Sequence, residues 1–219
     1  MRALILLLFA LGCIADTITP TVGAVRIVVA PGDSEPVANP FVDPLAVFAA
    51  DGLAERLAGD GSDGDWLHIW TGTHFNLYGY NSGQWRIHSN SQQIPATRLL
   101  GGTGAGYLIT RKAAGSDTIV FSGALPTAAS IPIALTGNTW QAIACPYPAA
   151  TPLSQPWAGA SNGDRLRLWD AATNSWTEYT RSAGAWTGPN AESAEIPIAA
   201  TFLYFNAGSA KTISFSRPY

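Results

Sequence analysis

Charge is scarce in this 219-residue chain: 12 basic and 15 acidic residues make up only 12% of it, against roughly 25% in an average soluble domain. Lysine is nearly missing, with only Lys112 and Lys211, and glutamate appears five times. Helix surfaces draw heavily on those two residue types, so the shortage excludes a body of long amphipathic helices. A formal net charge of −3 with no basic run argues against a nucleic-acid partner. Cysteine is limited to Cys13 and Cys145. If Cys13 leaves with a leader, no intrachain disulfide can form, and stability must come from packing. Cys145 then reads as a small buried hydrophobe. Catalytic motifs are missing as well. There is no H-E-x-x-H and no G-x-S-x-G, and all three histidines, His68, His74 and His88, lie in the first half.

What the chain does contain is 47% apolar residues, 11% aromatics, 22 Gly and 15 Pro. Thr, Val, Ile and aromatic runs broken by Gly and Pro are the composition of an all-β protein. At its start, Arg2 is followed by an unbroken apolar run from Ala3 to Leu11, then Gly12-Cys13-Ile14-Ala15 and the polar Asp16-Thr17. A positive start, an apolar stretch and a small residue at a cleavage point describe a secretory signal peptide over residues 1–15. The apolar segment is shorter than the ~20 residues that span a bilayer, so no membrane span is expected after cleavage. Ala24 offers a second cut, and Ala10-Leu11-Gly12-Cys13 loosely resembles a lipobox that would anchor Cys13 to lipid. The expected address is secreted, periplasmic or cell-surface.

Internal repetition organises the rest. Gly64-Asp65-Trp66-Leu67-His68-Ile69-Trp70 aligns with Gly163-Asp164-Arg165-Leu166-Arg167-Leu168-Trp169 at an offset that also carries Tyr80 onto Tyr179. Tyr107-Leu108-Ile109 matches Phe202-Leu203-Tyr204, and Thr118-Ile119-Val120-Phe121-Ser122 matches Thr212-Ile213-Ser214-Phe215-Ser216. Upstream, Val37-Ala38-Asn39-Pro40-Phe41 answers Ile143-Ala144-Cys145-Pro146-Tyr147. These matches predict a first β unit over 16–125 and a second over 126–219, packed as a pseudo-twofold sandwich or a barrel-like body. Alternation within each unit predicts strands at Val25–Val29, Tyr107–Arg111, Thr118–Ser122, Thr139–Ala144, Phe202–Asn206 and Thr212–Ser216. A further hairpin turns at Asp170-Ala171-Ala172-Thr173-Asn174. Ala46 to Leu57 carries the best helical material, one or two short turns.

Four features are candidate sites. Trp66, His68 and Trp70 share one face of their strand, where the second unit has Arg165, Arg167 and Trp169. Two indoles and an imidazole could stack against and hydrogen-bond a polysaccharide; alternatively they cover the junction between the units. Asp60, Asp63 and Asp65 crowd an oxygen-rich loop that could hold calcium, although no bidentate Glu follows at EF-hand spacing; a solvated hairpin loop is the other reading. Asp65 and Asp164 could be imagined as the acid pair of a carbohydrate-active hydrolase, or as turn residues at two equivalent strand starts. Gly101-Gly102-Thr103-Gly104-Ala105-Gly106 lacks the Lys-Ser/Thr of a phosphate loop and precedes a strand, so it reads as a turn and no cofactor is expected. The closing stretch, Lys211 to Tyr219, alternates and ends in an aromatic, which leaves an outer-membrane barrel as an alternative architecture. Polysaccharide and self-association are the partners these features suggest.

The hairpin Trp169 to Thr177 looks like the outer hairpin of a kelch blade, but the single long repeat leaves too few residues for a closed propeller. Across most of the mature chain the sequence resembles a family of secreted tandem-repeat β proteins of Verrucomicrobia-like bacteria. The resemblance is carried by Pro20-Thr21-Val22-Gly23, Asn39-Pro40-Phe41, Gly64–Trp70, Trp140–Pro148 and Gly163–Trp169. It implies an exported β protein and brings no reaction and no catalytic residues.

Overall fold

The computed structural model describes residues 22–38, 40–41, 65–81, 84–87, 106–112 and 115–219. Residues 1–15, Ala46 to Leu57, Asp60, Asp63, His88 and most of the glycine run at 101–106 lie outside the described residues. Within them the chain is all-β, with sixteen strands and no helix.

Seven strands belong to the first half: β1 Val22–Val29, β2 Ser34–Val37, β3 Trp66–Trp70, β4 Phe75–Asn81, β5 Gln84–Ile87, β6 Tyr107–Thr110 and β7 Asp117–Ala124. The second half has nine: β8 Ser130–Leu135, β9 Thr139–Ala144, β10 Thr151–Pro152, β11 Arg165–Asp170, β12 Ser175–Ser182, β13 Ala185–Thr187, β14 Glu195–Ile196, β15 Thr201–Asn206 and β16 Lys211–Ser216. A five-stranded sheet runs β2-β6-β3-β4-β5 and a second runs β9-β15-β11-β12-β13. Each is accompanied by an antiparallel ribbon, β1-β7 in the first half and β8-β16 in the second. Read by order of appearance, the two arrangements are the same. The short β10-β14 pair stands apart, and no sheet closes on itself among the described residues.

Alternation explains how each ribbon covers its sheet. In β1 and β7, Val25, Ile27, Val29, Ile119 and Phe121 point to one core, where they meet Val37, Leu67, Tyr78, Tyr107 and Ile109 of the sheet. In β8 and β16, Ile131, Ile133, Leu135, Ile213 and Phe215 meet Ile143, Leu166, Tyr179, Phe202 and Tyr204. Each half is thus a small two-layer sandwich with its own core. The second core adds Trp157, whose ring packs edge-on to Phe215 at 4.9 Å and to Trp186 at 5.4 Å. Cys145 is fully buried there; burial raises its thiol pKa, outweighing the hydrogen bonds from the sulfur to Tyr147 O and Thr151 Oγ1.

Most expected strands stand where the alternation puts them, and the differences have physical causes. Pro36 interrupts the pattern of β2, so that strand is not legible by alternation, whereas β8 alternates strictly, with Ile131, Ile133 and Leu135 inward and Pro132 outward; both are edge strands, where a missing N–H is tolerated. The repeat offset also shifts inside the hairpin. Leu67 faces Tyr78, whereas Leu166 faces Tyr179, so Tyr78 rather than Tyr80 corresponds to Tyr179. The cause is one extra ladder pair in the second hairpin: Asp170 opposite Ser175 follows Trp169 opposite Trp176, while the first ends at Trp70 opposite Phe75. Asp170 then closes its turn by accepting from Ala172 N at 3.0 Å and Thr173 Oγ1 at 2.8 Å, with Asn174 at a φ of 51°.

Candidate functional site

Period two sends Leu67 of β3 into the first core and leaves Trp66, His68 and Trp70 together on the opposite face, all half-buried. Phe75 of β4 extends the row. Its ring lies edge-on to Trp70 at 4.9 Å and to His68 at 6.5 Å, and His68 lies 6.5 Å from Trp66. These spacings are those of favourable aromatic pairs.

Part of this face meets the second half. The Trp70 indole N–H donates to Trp140 O at 3.0 Å, and the Phe75 ring stacks on Trp176 at 6.2 Å with the planes 8° apart. Nearby, Ser34 N donates to Asn174 Oδ1 at 3.4 Å. The contacts are reciprocal: the first hairpin reaches the start of β9, and the second reaches the start of β2. Phe75 and Trp176 hold matching ladder positions and touch each other. Gly106 and Thr201, which directly precede Tyr107 and Phe202, also meet, and a Cβ on Gly106 would lie 2.3 Å from Thr201 Oγ1. That hydroxyl donates to Val37 O at 2.7 Å and accepts from Tyr107 N at 2.9 Å, while Ala38 N donates to Ala199 O at 2.7 Å. Only a glycine permits so close an approach.

Trp66 makes none of those crossing contacts, and His68 adjoins them through Phe75 and Thr110. The Lys112 ammonium stands 3.8 Å from the Trp66 ring centroid, a cation–π distance. His68 Nε2 shares a 2.8 Å hydrogen bond with Thr110 Oγ1, and burial pushes its pKa down to about 4. It is therefore a neutral hydrogen-bonding group at physiological pH. The matching face of the second sheet is built differently. Arg165 lies 4.4 Å from the centre of the Phe205 ring and Arg167 lies 4.3 Å from that of Trp140, and both pair with Glu178, Arg167 Nε at 2.8 Å. Aromatic rings on this side are already capped by guanidinium groups.

The acids considered as a pair are both consumed inside their own sandwich. Asp65 is 1% exposed; it forms an ion pair with Arg111 and accepts Lys112 N at 2.7 Å. These bonds engage both oxygens that a calcium ion would need from it. Among the described residues, no three His, Cys, Asp or Glu side chains cluster as a metal site. Asp164, 0% exposed, accepts Tyr204 Oη at 2.6 Å, Ser161 N at 2.8 Å, Lys211 Nζ at 2.5 Å and Ala207 N at 3.0 Å. Burial by itself would raise its pKa. The Lys211 ammonium and the three other donors outweigh that and hold the carboxyl below its ordinary range. Lys112 N and Ala207 N occupy matching positions after β6 and β15, so the two aspartates pin equivalent corners. His74 is spent locally, its ring bonding Thr73 Oγ1 at 2.9 Å and Asn76 Oδ1 at 3.0 Å.

No protein-family profile, curated protein or solved structure matches this chain. Phe75, Trp140 and Trp176 complete the aromatic row and were not singled out by sequence reasoning. A signal was available for Phe75 and Trp176, since each lies at the start of the return strand of a hairpin, opposite a tryptophan.

Proposed function

We propose that the chain is an exported, non-catalytic β protein of the cell envelope or extracellular matrix that binds glycan at the half-buried aromatic face of β3. The observation that carries this reading is the row Trp66, His68, Phe75 and Trp70, half-buried on a sheet face and rich in C–H-complementary surface beside a neutral imidazole. Trp70 also serves the junction, so the binding contribution rests chiefly on Trp66 and His68. Buried, ion-paired Asp65 and Asp164 weigh against the hydrolase alternative, which needs acids facing a cleft. Among the described residues, strands of at most eight residues in open sheets weigh against the outer-membrane barrel, whose strands need ~9–11 residues. No helix among the described residues is long and apolar enough to cross a membrane.

Duplication of one β unit is part of the same reading, supported by the shared strand order and the reciprocal contacts at the junction. Export is supported by the leader pattern. Cleavage after Ala15 leaves β1 whole, whereas cleavage after Ala24 would remove the ladder pairs of Val22, Gly23 and Ala24 with Ala124, Gly123 and Ser122. Quenching of tryptophan fluorescence by a panel of soluble polysaccharides tests the binding. A saturable signal should weaken in Trp66→Ala and strengthen in Lys112→Ala, which uncovers one ring face. An unchanged signal in Trp66→Ala, or no quenching by any polysaccharide, refutes it.

A further inference from the structure

A cavity of about 560 Å³ opens at the end of the second sandwich and shares no residue with the β3 face. Its position follows from the sheet. Arg181 and Trp186 are cross-strand partners at the free edge of β12-β13, on the side that Tyr179 turns to the core. Beyond them the core ends, and Gln155 from the segment after β10 and Asn190 and Glu192 from the turn before β14 form the facing walls. The volume lies within the ~300–1,000 Å³ of small-molecule sites.

The walls are held in place without a ligand. Leu153 N donates to Ala194 O at 2.9 Å, and Asn190 O accepts Ser193 N at 3.0 Å and Ala194 N at 2.9 Å. On the other rim, Gly184 N donates to Asn162 Oδ1 at 2.9 Å. Two residues of the turn adopt positive φ, Gly188 at 155° and Asn190 at 50°, and a Cβ on Gly188 would lie 2.8 Å from the Tyr179 ring. Such backbone is maintained only where surrounding bonds over-determine it, so this cavity is a pre-organised space.

Its chemistry is selective. Arg181 lies 5.7 Å from the centre of the Trp186 ring and makes no ion pair among the described residues. Glu192 lines the same cavity, also without an ion pair, so the walls present one cation and one anion. A charged ligand would satisfy one and oppose the other; a neutral one can use both. Guanidinium, carboxylate and the two amides are planar groups with paired donor or acceptor atoms, the inventory that meets adjacent hydroxyls. Leu153 and Trp186, nearly buried, form the apolar floor of the cavity, and half-buried Ala191 adds to one wall. We infer that this cavity binds one neutral pyranose unit of a glycan, through Arg181, Gln155, Asn190 and Glu192. The ligand class rests on the carbohydrate-binding reading above; the site does not.

Titration of the full mature chain with methyl hexopyranosides, followed by calorimetry and by NMR of backbone amides and tryptophan indoles, tests this. At least one glycoside should bind saturably and shift the amides of Gly184, Gly188 and Thr187 and the Trp186 indole. Arg181→Ala should weaken it about ten-fold or more, the loss of one charge-assisted hydrogen bond. Gln155→Ala, in a segment outside the five-stranded sheet, should also weaken it and guards against a folding defect in the first variant. Trp66→Ala should leave the shifts of Gly184, Thr187, Gly188 and the Trp186 indole unchanged, whatever it does to binding at the β3 face. Absence of saturable binding by every glycoside, or binding by glucuronate alone, overturns the inference. Glycoside binding lost in Trp66→Ala and intact in Arg181→Ala overturns this site while leaving the β3 reading standing.

Discussion

Asp164 is the most exacting test of how this fold is held. Its carboxylate is fully buried and satisfies four donors: Lys211 Nζ, Tyr204 Oη, Ser161 N and Ala207 N. Asp164→Ala removes the acceptor and leaves a largely buried ammonium, a buried phenol and two N–H groups without it. Breaking a buried ion pair from one side costs about 3–5 kcal/mol, and the orphaned neutral donors push toward the upper end. Against a total stability of about 5–15 kcal/mol, that loss should bring the second sandwich close to unfolding at 25 °C. Lys211→Met should cost less, about 1–3 kcal/mol, because the carboxylate keeps three donors. The double variant should then fall short of the sum, since the second change removes a charge the first has already stranded. Urea unfolding followed by tryptophan fluorescence measures all three. With the carboxyl pKa depressed in the fold, its contribution is complete above the ordinary aspartate value and is lost as pH falls through the lower folded value. A cost below about 1 kcal/mol for Asp164→Ala, or strict additivity with Lys211→Met, would refute the reasoning.

Two other perturbations probe the seam. His68 has its pKa lowered from 6.5 to about 4 by burial, so unfolding takes up a proton between those values. Stability should be full above pH 6.5 and decline toward pH 4, by about 3 kcal/mol at most; His68→Gln should flatten that slope in pH-dependent urea midpoints, and parallel curves would discount the role of His68. Gly106→Ala forces a methyl group onto Thr201, and should destabilise by about 1–3 kcal/mol as an overpacked contact does. Pairing it with Thr201→Ser should recover part of the loss, and a neutral Gly106→Ala would mean that the two halves do not meet as described.

The parts of the fold that could be read from the chain were those governed by neighbouring residues. Alternation over Arg165–Trp169 announces which side of β11 is buried, and Asp170-Ala171-Ala172-Thr173-Asn174 announces its turn. Pro36 concealed β2, because whether a strand lies at an edge depends on the sheet and not on its own residues. The candidate site was legible to the same degree. That Trp66, His68 and Trp70 share a face follows from period two. That Lys112 covers one indole while Trp140 takes the N–H of another does not, because those partners lie 46 and 70 residues further along the chain.

By itself, the sequence determined an all-β body, since scarce Lys and Glu deny helices their surface and alternating Val, Ile and aromatic residues supply strands. It also determined which side of each strand is apolar. Only the tertiary structure decided the work of the polar residues. Asp65 and Asp164 stand at matching strand starts and look like loop acids in sequence, yet both are buried. Their cations come from different places: Arg111 follows β6, whereas Lys211 opens β16. A side chain's periodicity is local, but the partner that makes its burial tolerable is chosen by chain segments brought together only in the fold.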